Sequence, residues 1–103
     1  MNDFQKEVLQ KIDSGEDLTK EELRRLEEYS RETTYSRETT DGEKGGRTRS
    51  ARSIVELGER MFAIRWQEGL SYDEENVFHE QPYEVEPMER EETITVREWV
   101  PKK

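Results

Sequence analysis

The chain has no cysteine and one histidine, and these two shortages remove much of the chemistry a small protein can carry. Without thiols there are no disulfide staples, no thiolate metal sites and no cysteine nucleophiles. A lone imidazole supplies no histidine metal cluster and at most one Ser-His pairing. Apolar residues are scarce as well: 29% of the 103 residues against 42% charged, with Leu, Ile, Val and Phe together numbering 19, so any core is small. A chain of this length has room for one domain. Neither GxxxxGK[ST] nor GxGxxG occurs, and Gly45-Gly46 lacks the strand-loop-helix setting of a phosphate cradle. There is no apolar run of about 18 residues, and the opening MNDF places an acid where a signal peptide carries bases. The expectation is a soluble protein of the cytoplasm with no membrane partner, no cofactor and no metal.

What the chain has in excess is carboxylate: 26 Asp plus Glu against 17 Lys plus Arg, a net charge of -9. The excess is unevenly placed. Residues 47–66 are net +3 through Arg47, Arg49, Arg52, Arg60 and Arg65, whereas residues 67–92 alone are net -9.

Local patterns divide the chain. Phe4, Val8, Leu9 and Ile12 share one stripe of a helix over about residues 3–13, which Asn2 or Asp3 caps and Ser14-Gly15 stops. Thr19 and Glu22 make a capping box with Leu18 and Leu23 as its hydrophobic staple, starting a second helix over about residues 20–30. The two read as a helical hairpin, with Leu23, Leu26 and Tyr29 turned toward Leu9 and Ile12. Residues 29–40 are a tandem hexapeptide, YSRETT twice, followed by DGEKGG. With little to bury and two adjacent glycines, residues 31–48 are expected to be a flexible linker; an edge strand or a docking segment is the alternative.

From Arg49 the period becomes two. Gly58-Glu59 fits a II′ turn, and the register it sets pairs Val55 with Phe62, Ser53 with Ile64 and Ala51 with Trp66. Ser71 and Glu74 suggest another capping box, hence a short helical turn near 72–78 that ends at Gln81-Pro82. Tyr83 to Met88 and Ile94 to Val100 alternate again as strands. The predicted fold is α+β: an N-terminal helical hairpin (1–30) packed on a three- to four-stranded antiparallel sheet (49–100), with a flexible linker between them.

No catalytic constellation stands out. His79 has no visible pocket or ligand set, and a core this small can hardly enclose a glycosidase-type cleft, so no enzyme is expected. The acidic segment is the stronger candidate for a site. Asp73, Glu74, Glu75, Glu80, Glu84, Glu86, Glu89, Glu91 and Glu92 are interleaved with aromatics including Tyr83, a mixture suited to partner-binding hot spots. Glu84 and Glu86, on one face of a strand, could mimic a nucleic-acid backbone toward a basic groove. Solubility alone is the competing explanation of that surface. Arg47, Arg49 and Arg52 offer a second contact, either to nucleic acid or to the chain's own carboxylates; with a net charge of -9, tight binding of free duplex DNA is not expected.

The run SIVELGERMFAIRWQEGL over residues 53–70, followed by ENVFHEQPYEV over 75–85 in a small acidic chain without cysteine, resembles proteins carried by phages and mobile elements of Gram-positive bacteria. Among these are anti-CRISPR inhibitors of type II effector nucleases. The resemblance covers about residues 53–100. It implies a stoichiometric inhibitor in a bacterial host cell, with acidic side chains placed in the nucleic-acid groove of a CRISPR effector nuclease, in some cases alongside its guide RNA. A nucleic-acid-binding accessory protein using Arg47 to Arg65, and a protein-interaction adaptor such as an antitoxin-like partner, are the alternatives.

Overall fold

The structure, a computed structural model, describes residues 1–42, 44–90 and 96–102. Its elements are α1 (Asp3–Asp13), α2 (Lys20–Glu27), β1 (Ser30–Asp41), β2 (Arg47–Leu57), β3 (Arg60–Gly69), β4 (Tyr83–Arg90) and β5 (Val96–Pro101). The strands form one antiparallel sheet in chain order, β1-β2-β3-β4-β5. The α+β class holds, with five strands rather than three or four.

Both helices start as their residues predict. Asn2 caps α1 in a reciprocal box with Gln5, and Thr19 caps α2 in a box with Glu22; each satisfies backbone N–H groups that a helix start leaves without partners. Their apolar stripes meet the sheet at β2. Val8, Leu23 and Leu26 are fully buried against Val55, Leu57, Phe62 and Ile64, with Trp66 and Phe78 stacked at 5.2 Å beside them. A Lys11–Glu22 ion pair of 2.8 Å spans the two helices. Tyr29 lies beyond α2 rather than in it; its ring stacks on Phe4 at 6.0 Å and its hydroxyl accepts from Asn2 Nδ2.

The β2–β3 hairpin has the predicted register, Val55↔Phe62, Ser53↔Ile64 and Ala51↔Trp66. Gly58 takes φ +68°, and among the described residues none other than glycine has positive φ, so the turn needs one positive-φ position, as type II′ does. Alternation then divides the sheet into two faces. The helix-facing side carries the main core, and the opposite side buries Ile54, Ala63 and Val85 beneath Met61, Tyr83 and Trp99.

Three expectations change. Residues 31–41 are not a linker segment but most of β1, a twelve-residue edge strand paired along β2. Thr and Tyr favour a strand once a partner edge is available, an effect that composition does not reveal. The ladder shifts at Arg31 and again over Ser36–Glu38, and such irregularities with flanking charges blunt an exposed edge. Residues 72–78 are not helical either: a turn at 71–73 leads into irregular chain, with one bridge between Val77 and Gln67. The helical hairpin appears as two helices that each rest on β2.

Candidate functional site

The acidic segment begins where β3 ends, and one of its carboxylates, that of Glu74, turns inward. Glu74 Oε1 accepts hydrogen bonds from the backbone N–H groups of Lys44 and Gly46, both at 2.9 Å. Ser71 Oγ accepts from Arg47 N at 2.8 Å, and Leu70 N donates to Arg47 O at 2.8 Å. The predicted capping pair Ser71 and Glu74 thus caps the β1–β2 turn rather than a helix, because a helix start is not the only source of converging N–H groups. Close approach constrains three glycines. A Cβ at Gly69 would collide with the Glu74 backbone, which cannot give way, whereas one at Gly42 would displace the Glu74 carboxylate from its anchoring position. At Gly46 a Cβ would press on Glu74 Cγ and Ser71 Cβ.

This anchoring holds the neighbouring side chains outward. Tyr72 is fully exposed, Leu70 is 45% exposed, and Asp73 and Glu75 lie in solvent on either side of Glu74. An exposed aromatic on a loop tied down at its base loses little entropy when a partner covers it. The far end of the loop is tied as well. The Gln81 amide makes two bonds to the Leu18 backbone, accepting from N at 2.7 Å and donating to O at 3.1 Å. Phe78 is buried on Trp66, with the Arg24 guanidinium 5.9 Å from its ring centre.

The other predicted contact residues fall into separate places. Glu80 is exposed and loosely paired with Arg65 at 3.9 Å. Glu84 receives two hydrogen bonds from Arg60, at 3.0 and 3.1 Å, and one from Lys102 at 3.2 Å. Those donors, Arg60 above all, hold its carboxyl below the usual carboxylate range. Arg60 also reaches both oxygens of Asp13, so Glu84 is one end of a link from β4 to α1. The expected row of Glu84 and Glu86 therefore presents Glu86 alone in the open. Tyr83 is half-buried in the second core cluster instead of standing in the acidic surface. Glu89 pairs through its backbone with Arg97, its side chain lies outside the described residues, and Glu91 and Glu92 lie outside them entirely.

The three arginines do not form one patch. Arg47 and Arg49 share one face of β2, while Arg52 lies on the other. Arg47 donates to Thr39 Oγ1 at 3.2 Å; Arg49 donates to Glu68 at 2.6 Å and lies 4.0 Å over the Tyr35 ring. Arg52 instead sits directly opposite Arg65. Arg65 stands outside the expected contact trio, although the register set by the Gly58-Glu59 turn implies that pairing. Among the described residues no group of three or more His, Asp or Glu side chains is placed to hold a metal ion, and no helix is long and apolar enough to cross a membrane.

Comparison with protein-family models, with curated proteins and with solved structures finds no match, so the functional reading rests on this geometry.

Proposed function

We propose that this chain is a non-catalytic binding protein that docks its 70–77 loop on a basic surface of a partner protein, as an inhibitor of a phage-defence nuclease does. The observation that carries the reading is the Glu74 anchor, which fixes the loop while leaving Tyr72, Asp73 and Glu75 exposed. Tyrosine beside acids supplies contact area and charge complementarity together. The finer form of the proposal is an inhibitor of the anti-CRISPR type. In it, Asp73, Glu75 and Glu86 stand in for phosphates in the nucleic-acid groove of a type II effector nuclease, while Glu74 and Glu84 serve the fold.

The test is DNA cleavage by a panel of type II CRISPR nucleases, with and without guide RNA loaded before addition. Wild-type protein should inhibit at least one nuclease at near-stoichiometric concentration. Asp73→Lys with Glu75→Lys should weaken binding at least tenfold, chiefly by slowing association, and Tyr72→Ala should speed dissociation. Glu74→Gln should give a folded protein with weaker inhibition, since the neutral amide holds the turn less firmly. Full inhibition by the double reversal would remove the acidic loop from the mechanism. Absence of inhibition across the panel would refute the nuclease target.

A further inference from the structure

We infer that the sheet face turned away from the helices carries a binding site for the phosphate group of a small ligand, centred on Arg52 and Arg65. The two arginines are direct cross-strand partners in the β2–β3 hairpin and project from the same face. Like charges placed opposite each other on neighbouring strands oppose pairing, and among the described residues nothing offsets them well. Arg52 is half-buried and has no ion-pair or hydrogen-bond partner among the described residues. Among the described residues Arg65 has only Glu80, at 3.9 Å between two side chains each 59% exposed, a weak and solvent-screened contact. In a chain with nine more acids than bases, two adjacent arginines without firm carboxylate partners among the described residues are a site that an external anion completes.

The surroundings fit a phosphate. A pocket of about 440 Å³ opens at the pair, lined also by Thr34, Ser36, Ser50 and Tyr83. Two guanidinium forks match phosphate oxygens bidentately, and three aliphatic hydroxyls and a phenol can donate to the remaining ones. The volume is that of a nucleotide-sized ligand, and Tyr83 offers a ring edge or face to its apolar part. Charge decides between a small ligand and a nucleic acid. A polyanion extending past the pocket meets the field of a protein with net charge -9, whereas a single phosphate group meets only the local pair. The pocket shares no lining residue with the 70–77 loop, so it stands or falls independently of the inhibitor reading.

The experiment is amide-resolved NMR titration of the full chain with inorganic phosphate, adenosine monophosphate, adenosine and a twelve-nucleotide RNA, repeated with Arg52→Gln, Arg65→Gln and Arg47→Gln. Phosphate and the monophosphate should shift the amides of residues 50–53 and 64–66 with sub-millimolar to low-millimolar dissociation constants, and adenosine should bind at least tenfold more weakly. Arg52→Gln and Arg65→Gln should each weaken binding tenfold or more, and Arg47→Gln by less than twofold. Without ligand, Arg52→Gln should leave Tm unchanged or raised, because it removes a repulsion; this also shows that the variant is folded. No saturable shift at 20 mM phosphate or monophosphate would overturn the site, as would binding unaffected by both pocket variants. RNA binding tighter than monophosphate binding would overturn the small-ligand assignment in favour of nucleic acid.

Discussion

Replacing Ser53 with Ala removes one oxygen, yet that oxygen joins four elements. Ser53 is fully buried on β2, and its Oγ accepts from the Trp66 indole N–H on β3 at 2.9 Å. It lies 3.1 Å from Glu27 Oε1 on α2 and 2.9 Å from Thr33 Oγ1 on β1. A hydroxyl has one proton and two lone pairs, and one assignment satisfies every contact: Trp66 and Thr33 donate to Ser53, and Ser53 donates to the Glu27 carboxylate. In Ser53→Ala, Thr33 and Glu27 can turn toward water, because they lie nearer the surface. Trp66 cannot, being 6% exposed and stacked on Phe78. An orphaned buried donor costs about 1–3 kcal/mol, while the cavity left by one oxygen adds little, so a loss of about 2 kcal/mol is expected. For a domain near this size that is a fall in Tm of roughly 8–16 °C. Urea denaturation checks it, with Trp66→Phe as the companion background. Phenylalanine has no N–H to orphan, so Ser53→Ala should cost at least about 1 kcal/mol less there, a coupling that a double-mutant cycle reads directly. A loss below about 0.5 kcal/mol in the wild-type background, or no coupling to Trp66, would refute the hub.

Three further expectations concern the carboxylates. Glu84→Lys should destabilise the fold by about 2 kcal/mol, since it sets a cation against Arg60 and Lys102 and breaks the link toward Asp13, whereas Glu86→Lys should stay within about 0.5 kcal/mol; thermal melts of the two compare them directly. Burial raises the Glu27 carboxyl, partly offset by the Ser53 hydrogen bond, so the folded state holds that proton more tightly and its contribution to stability falls as pH rises from the ordinary carboxylate range through the raised value. Glu27→Gln keeps an oxygen for Ser53 and should be more stable than wild type at pH 7, with the difference vanishing in acid; the opposite sign in denaturation at pH 4 and pH 7 would refute this. Glu22 and Glu84 are lowered by Lys11 and Arg60, so each contributes stability above the ordinary carboxylate range that is lost as pH falls through its lowered value.

Much that rests on a few neighbouring residues is legible in the sequence, although the Ser71–Glu74 pair shows that a local capping pattern can serve a turn instead of a helix. Thr19 with Glu22 marks a helix start because the reciprocal bonds close within one turn of chain. Alternation across Gly58-Glu59 sets the β2–β3 register because slipping by one residue would put Phe62, Ile64 and Trp66 in solvent. That register already contained the Arg52–Arg65 pair. The tertiary structure decided what depends on partners distant in sequence. The YSRETT repeat is a strand because β2 offers it an edge, and Tyr35 packs edge-on against Trp66 at 6.4 Å. Glu74 and Glu84 look like Asp73 and Glu86 in composition, yet the first pair found backbone N–H groups and an arginine while the second faces water. A carboxylate's role is set by which donors the fold brings within hydrogen-bond reach, and charge counting along a chain carries no record of that distance.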